Sequence, residues 1–155
     1  MKKLILLLLL LTAGILFATK PRFVDLGNGT VLDNKTNLLW QQCPKGASGK
    51  NCENGSLEKA KWEDAKAYCE NLTLNNKTWR LPQVTELLSL AYIKDTKAIN
   101  SNFFPKFRVE EGSIVWSNTP IATISGYVFT VNFSNATSNY VGKNNSNTVL
   151  CVTTP

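Results

Sequence analysis

From Arg22 to Gln42 the apolar residues come in short runs, Phe23-Val24, Val31-Leu32 and Leu38 to Trp40, separated by "GNG" and "DNKTN". Glycine and asparagine tolerate left-handed backbone angles, so the separators read as turns between short strands. "DLGNGT" offers a single charged oxygen, on Asp25, too few for a calcium loop, and is also read as a turn. The rhythm changes at Ser56. In "SLEKAKWEDAKAYCENL" the residues Trp62, Ala65, Tyr68, Cys69 and Leu72 recur at steps of three and four, while Lys59, Glu63, Lys66 and Glu70 take another face. This predicts an amphipathic helix capped by Ser56 and ended around "LTLNN". A second helix is predicted from Pro82, whose missing N–H suits a first helical turn, with Val84, Leu87, Leu88 and Ala91 as an apolar stripe running through to Tyr92. Thr78 to Leu81 form an extended approach, because a residue before proline is pushed out of helical angles.

After residue 93 the pattern dissolves into "KDTKAINSNFFPKFRVEEGS", rich in Asn, Pro, Gly and charge, with Phe103, Phe104 and Phe107 as anchors. This predicts a long irregular loop. The last third alternates. "IVWSN" reads as a strand, and "YVFTVNF" sets Tyr127, Phe129, Val131 and Phe133 on one side against Val128, Thr130 and Asn132 on the other. "TSNYVG" and "TVLCVT" follow after "SNA" and "GKNNSN" turns, which predicts an antiparallel meander whose final strand carries Cys151. Strands, two helices, a long loop and a hairpin-rich sheet, without repeats or an interdomain linker, define an α+β class.

The opening residues stand apart. "MKKLILLLLLLTAGILFA" combines Lys2 and Lys3, an apolar run from Leu4 to Phe17 and a small residue at Ala18, the pattern of a signal peptide over residues 1–18. The run is short of the ~20 residues a helix needs to span a bilayer. Residues 19–155, about 137 of them, suit a single domain with its own core and no membrane span once the leader is removed. The expected destination is outside the cytoplasm: periplasm, cell surface or medium.

Losing Lys2 and Lys3 leaves 15 basic side chains against 11 acidic ones, a mild excess of about +4. The lysines are scattered and the chain is expected to be exported, which excludes a nucleic-acid partner. The excess serves solubility or attraction to anionic surfaces such as sulfated glycans and acidic lipid headgroups. Histidine is absent. The commonest acid/base group near neutral pH is therefore missing, with every triad or metal site that depends on it. Four cysteines in an exported chain read as two disulfides with three possible pairings. Cys43 and Cys52 bracket a loop with nothing apolar to hold it, so a local bridge is economical, leaving Cys69 and Cys151 to join the first helix to the last strand. The spacings lack the paired C-x₂₋₄-C knuckles of a zinc site. No cofactor is expected. Asparagines in N-x-[ST] sequons, such as Asn28 and Asn71, are read as turn formers.

Several pieces together resemble a known family. They are Phe23-x-Asp25-x-Gly27-Asn28-Gly29-Thr30-Val31-x-Asp33-Asn34 with Leu38-Leu39-Trp40-Gln41, then Trp62-Glu63-x-Ala65-x-x-Tyr68-Cys69-x-x-Leu72, then Trp79-Arg80-Leu81-Pro82-x-x-x-Glu86-Leu87. Asn100-x-x-Phe103-Phe104-Pro105, Trp116-Ser117, Val131-Asn132-Phe133-Ser134-Asn135 and Cys151-Val152 complete the set. Their order and spacing resemble the bacterial domain typified by the C-terminal part of the Legionella collagen-like adhesin, over about Arg22 to Val152. The resemblance implies a C-type-lectin-like fold, two helices packed on antiparallel sheet, distantly akin to the formylglycine-generating enzymes, with Cys69–Cys151 as the expected staple. It implies adhesion to glycosaminoglycan-like polymers. The chain departs from its relatives in lacking a collagen-like stalk, the Glu-Pro-Asn, Gln-Pro-Asp and Trp-Asn-Asp triplets of calcium-dependent lectins, and the reactive cysteine pair of the formylglycine enzymes.

These readings make Trp79-Arg80-Leu81-Pro82 a structural corner. Trp79 and Leu81 are expected in the core beneath the second helix, and Arg80 is expected to hold a carboxylate or backbone carbonyls. The expected function is a non-enzymatic recognition or adhesion module for a sulfated glycan, or for a matrix or surface protein. Candidate ligand-binding residues are Lys94, Lys97, Lys106, Arg108, Tyr140 and Lys143. One alternative is a structural or accessory envelope protein holding a protein partner on an apolar patch of Phe103, Phe104 and Phe107, although buried anchors suit those residues better. A remote alternative is a formylglycine-type enzyme, which needs a free, low-pKa thiol.

Overall fold

A computed structural model describes residues 20–91, 99–107 and 113–155. In chain order the elements are β1 (Phe23–Asp25), β2 (Thr30–Asp33), β3 (Leu38–Gln41), β4 (Ala47–Ser48), β5 (Asn54–Gly55), α1 (Trp62–Glu70), α2 (Val84–Leu90), β6 (Ile114–Pro120), β7 (Tyr127–Asn132), β8 (Thr137–Gly142) and β9 (Val152–Thr153). The architecture is α+β, with three antiparallel sheets ordered β1-β2-β3-β9, β4-β5 and β6-β7-β8.

The first three strands form where the short apolar runs lie. Turns separate them as expected: Gly27 and Gly29 take φ of 70° and 82°, Asn37 takes 54°, and the Asp25 carboxylate accepts the Gly27 N–H at 2.8 Å. The expected final strand of the meander goes elsewhere. β9 pairs with β3, setting Trp40 opposite Val152, and the run before it reaches β6 through a parallel bridge between Val115 and Thr148. The last apolar segment thus ties the two larger sheets together, and Val149, Leu150, Cys151 and Val152 are all fully buried.

Both helices start later than their sequence signals suggest. Ser56 does not cap α1, whose first helical residue is Trp62. Glu58 N–H is bound to Lys45 O, and Ala60 pairs with Asn147, so residues ahead of Trp62 are held as extended chain by tertiary pairing that outweighs their propensity. Pro82 lies just ahead of the α2 N-cap, Gln83, not in the first turn. Leu87 and Leu90 face the core, whereas Leu88 is on the exposed side. Tyr92 lies outside the described residues.

Two apolar clusters fill the interior. One gathers Leu87 and Leu90 of α2 with Phe23, Trp40, Val115, Val131, Phe133 and Leu150. The other gathers Trp62, Ala65 and Cys69 of α1 with Leu39, Trp79, Leu81, Trp116, Val128 and Val149. Trp79 and Leu81 are buried as expected, but against the α1 cluster and not beneath α2. Phe104 and Phe107 are buried anchors, in ring contact with Phe23 and Phe133 at 5.9 and 5.5 Å, so the three phenylalanines do not form an exposed patch. Cys43 is bonded to Cys52, and Cys69 to Cys151.

Candidate functional site

Tyr140 and Lys143 are brought to one end of the β7–β8 hairpin. In the register of this pair Phe129 faces Tyr140 and Tyr127 faces Gly142. Side chains two apart on opposite strands are diagonal neighbours on one face. Tyr127 and Tyr140 accordingly meet edge to face, their ring centroids 6.1 Å apart at 75°. Both are well exposed. The aromatic side of β7 is therefore not uniformly core-facing: Val131 and Phe133 are buried, whereas Tyr127 points outward and Val128 and Thr130 fill the interior behind it.

Lys143 joins this hairpin to α1. Its N–H donates to Gly126 O at 2.8 Å, and its carbonyl accepts the Trp62 N–H at 3.1 Å. Its ammonium group rests 3.9 Å from the centroid of the Trp62 ring, and Lys66, one turn along α1, brings a second ammonium to 4.8 Å. The indole N–H is bound to Ser117 O at 2.9 Å, which fixes the ring that both lysines use. Glu63 stands 3.8 Å from Lys143 and 4.0 Å from Lys66, a loose partner on an exposed side chain. Cation–π contacts at exposed sites contribute about 0.5–1 kcal/mol each, enough to bias where the ammonium groups sit.

Other cations lie apart from this surface. Lys106 lines a polar groove with Asn51, Cys52, Glu53, Ser101, Asn102 and Pro105. Glu53 has its pKa lowered chiefly by backbone N–H groups of Glu53 itself and Asn51, with Lys106 adding a smaller share. Lys20, Arg22 and Lys35 line a notch with Asn34 and Asn37. Arg22 is committed there to the buried Asp33, through bonds of 3.2 and 3.1 Å, which leaves Lys20 and Lys35 as its outward charges. Lys94, Lys97 and Arg108 lie outside the described residues.

Sequence reasoning missed Tyr127, Lys66 and Trp62 as companions of Tyr140 and Lys143, and missed Lys20 and Lys35. One signal was available: after Glu111 the only charged side chain is Lys143. Among the described residues no three His, Cys, Asp or Glu side chains gather as a metal site, and all four cysteines are bridged. No described helix is long and apolar enough to cross a membrane.

Residues 29–153 match the model of the Lcl C-terminal domain family, and the chain belongs to that family. No curated protein and no solved structure matches it.

Proposed function

We propose that the chain is an exported adhesion module of C-type-lectin-like fold, without catalytic chemistry, that holds polyanionic glycans such as sulfated polysaccharides. Family membership supports the adhesion class, because the domain takes its family from an adhesin's C-terminal part. Two disulfides and the signal-peptide pattern of residues 1–18 support export. A bridge from α1 to the segment leading into β9, with helices laid on antiparallel sheet, supports the fold reading. The bridging of every cysteine removes the thiol that a formylglycine-type reaction requires.

The observation that carries the glycan reading is the placement of Lys66 and Lys143 over one fixed indole. Charges held against a ring present a defined spacing to an anionic polymer and lose less side-chain entropy on binding than free lysines do. Lys20, Lys35 and Lys106 extend the set of cations that a long polymer can reach.

The test is retention of residues 19–155, oxidised, on immobilised heparin under a rising salt gradient. Retention at low salt, released as ionic strength climbs, is expected, with the Lys66→Glu/Lys143→Glu variant released at clearly lower salt. Absent retention, or retention indifferent to salt, would remove the reading.

A further inference from the structure

The Tyr127–Tyr140 end of the β7–β8 hairpin is unlike a polyanion site. From Gly112 onward the chain offers one charged side chain, Lys143, so the sheet and its loops meet solvent through Asn, Ser, Thr and Tyr, with Ile114 and Ile124. On this neutral ground Tyr127 and Tyr140 project with 41% and 48% of their surfaces exposed, and Ile124 is exposed in the loop just before them.

Gly142, opposite Tyr127, has a backbone that does not demand glycine, since its φ lies outside the left-handed range. A side chain there would begin 3.9 Å from the Tyr127 ring and 3.4 Å from the Asn145 amide nitrogen. What glycine does at this position is leave the ring uncovered. Asn145 donates its amide N–H to Gly142 O at 3.0 Å, which sets a carboxamide beside the bare position.

The identity of the occupant follows from what the surface withholds. A polyanion finds one cation. An added β-strand meets an edge at which the Tyr140 N–H is already taken by the Asn139 side-chain oxygen at 2.9 Å. A stable protein partner requires roughly 800 Å² a side with an apolar centre, more than two tyrosines and an isoleucine provide. Uncharged sugar suits it. The C–H face of a pyranose is weakly positive and seats on the negative face of an aromatic ring, while its hydroxyls need amide and hydroxyl partners at the rim.

We propose that Tyr127 and Tyr140, with the bare Gly142 between strand and turn, stack uncharged pyranose rings, giving the module a salt-indifferent glycan contact in addition to its cationic one. This rests on the glycan-recognition reading above. It assigns the tyrosines to neutral sugar and the lysines to charge.

The test uses oxidised residues 19–155 with cellohexaose, chitohexaose and mannohexaose as probes, followed by tyrosine ring NMR signals at low and high salt. At least one hexasaccharide is expected to shift the Tyr127 and Tyr140 signals with an affinity that salt leaves unchanged. Tyr127→Ala/Tyr140→Ala should weaken it at least tenfold, measured by calorimetry. Gly142→Val, which keeps both rings and suits a strand, should do the same, and Lys66→Glu/Lys143→Glu should leave it unaltered. If heparin is retained but no hexasaccharide binds, or binding survives both the tyrosine and glycine variants, the stacking proposal is wrong and the polyanion reading stands. If hexasaccharides bind at the tyrosines while heparin is not retained, the polyanion reading alone falls.

Discussion

Arg80 gives both arms of its guanidinium to Glu86, at 2.8 and 2.6 Å, and reaches the Leu81 carbonyl at 3.2 Å. Glu86 also accepts the Gln83 N–H at 2.7 Å, so one carboxylate holds the corner and closes the first turn of α2. Burial opposes ionisation of Glu86, but the bonds from Arg80 and Gln83, with the arginine's charge, outweigh it and hold the pKa below its ordinary 4.5. The carboxylate's contribution is complete above that pH and is lost as pH falls through the lowered value. Glu86→Gln is expected to cost about 1–2 kcal/mol at pH 7, moderated by the arginine's exposure, with the gap to wild type closing in acid. Urea unfolding from pH 7 to pH 2.5 checks this, and a gap independent of pH would refute it. The corner was legible because Pro82 dictates extended chain before it and Arg80 is the one arginine in that stretch. Which leucine faces inward was not. Leu88 and Leu90 lie about 200° apart around a helix of 3.6 residues per turn, and the packing of α2 on β6 and β7 turns the Leu87–Leu90 side inward.

At the level of elements, strands flanked by glycine and asparagine turns were readable, because backbone angle is a local property. Pairing partners were not, because they depend on contacts far apart in the chain. β9 has the composition of a meander strand, yet it pairs with β3 on one side, and on the other Val152 exchanges both of its backbone hydrogen bonds with Arg80. The start of α1 failed for the same reason: Ser56 is a sound cap in isolation, but the bridge from Ala60 to Asn147 removes the turn it would begin. The site divided along this line as well. Tyr140 and Lys143 could be chosen by residue type, whereas Trp62 and Lys66 meet Lys143 only once α1 has docked. The two disulfides differ in reach, closing separations of 9 and 82 residues. Loop-closure entropy predicts a loss of about 4–5 kcal/mol for Cys69→Ala/Cys151→Ala and about 2–3 kcal/mol for Cys43→Ala/Cys52→Ala. Thermal unfolding that ranks the two pairs the other way would show that strain or residual structure, not loop length, governs them.

Over the whole molecule, stability is concentrated where the two larger sheets meet. Val149 to Val152 supply buried side chains to both apolar clusters, one half of the long disulfide and the bridge to Arg80. A chain ending at Thr148 is therefore expected not to reach the native state: near-ultraviolet circular dichroism from its four tryptophans should be lost and trypsin should digest it throughout. A folded, protease-resistant product would show that the sheets stand without their tie. The tie also sets an order of events. Gln41 receives its partner Cys151 from 110 residues downstream, so the first sheet stays unfinished until the chain has been synthesised through Cys151. A nascent chain exported as proposed would have no completed fold to resist threading through a translocation pore, and would lock where oxidation can join Cys69 to Cys151.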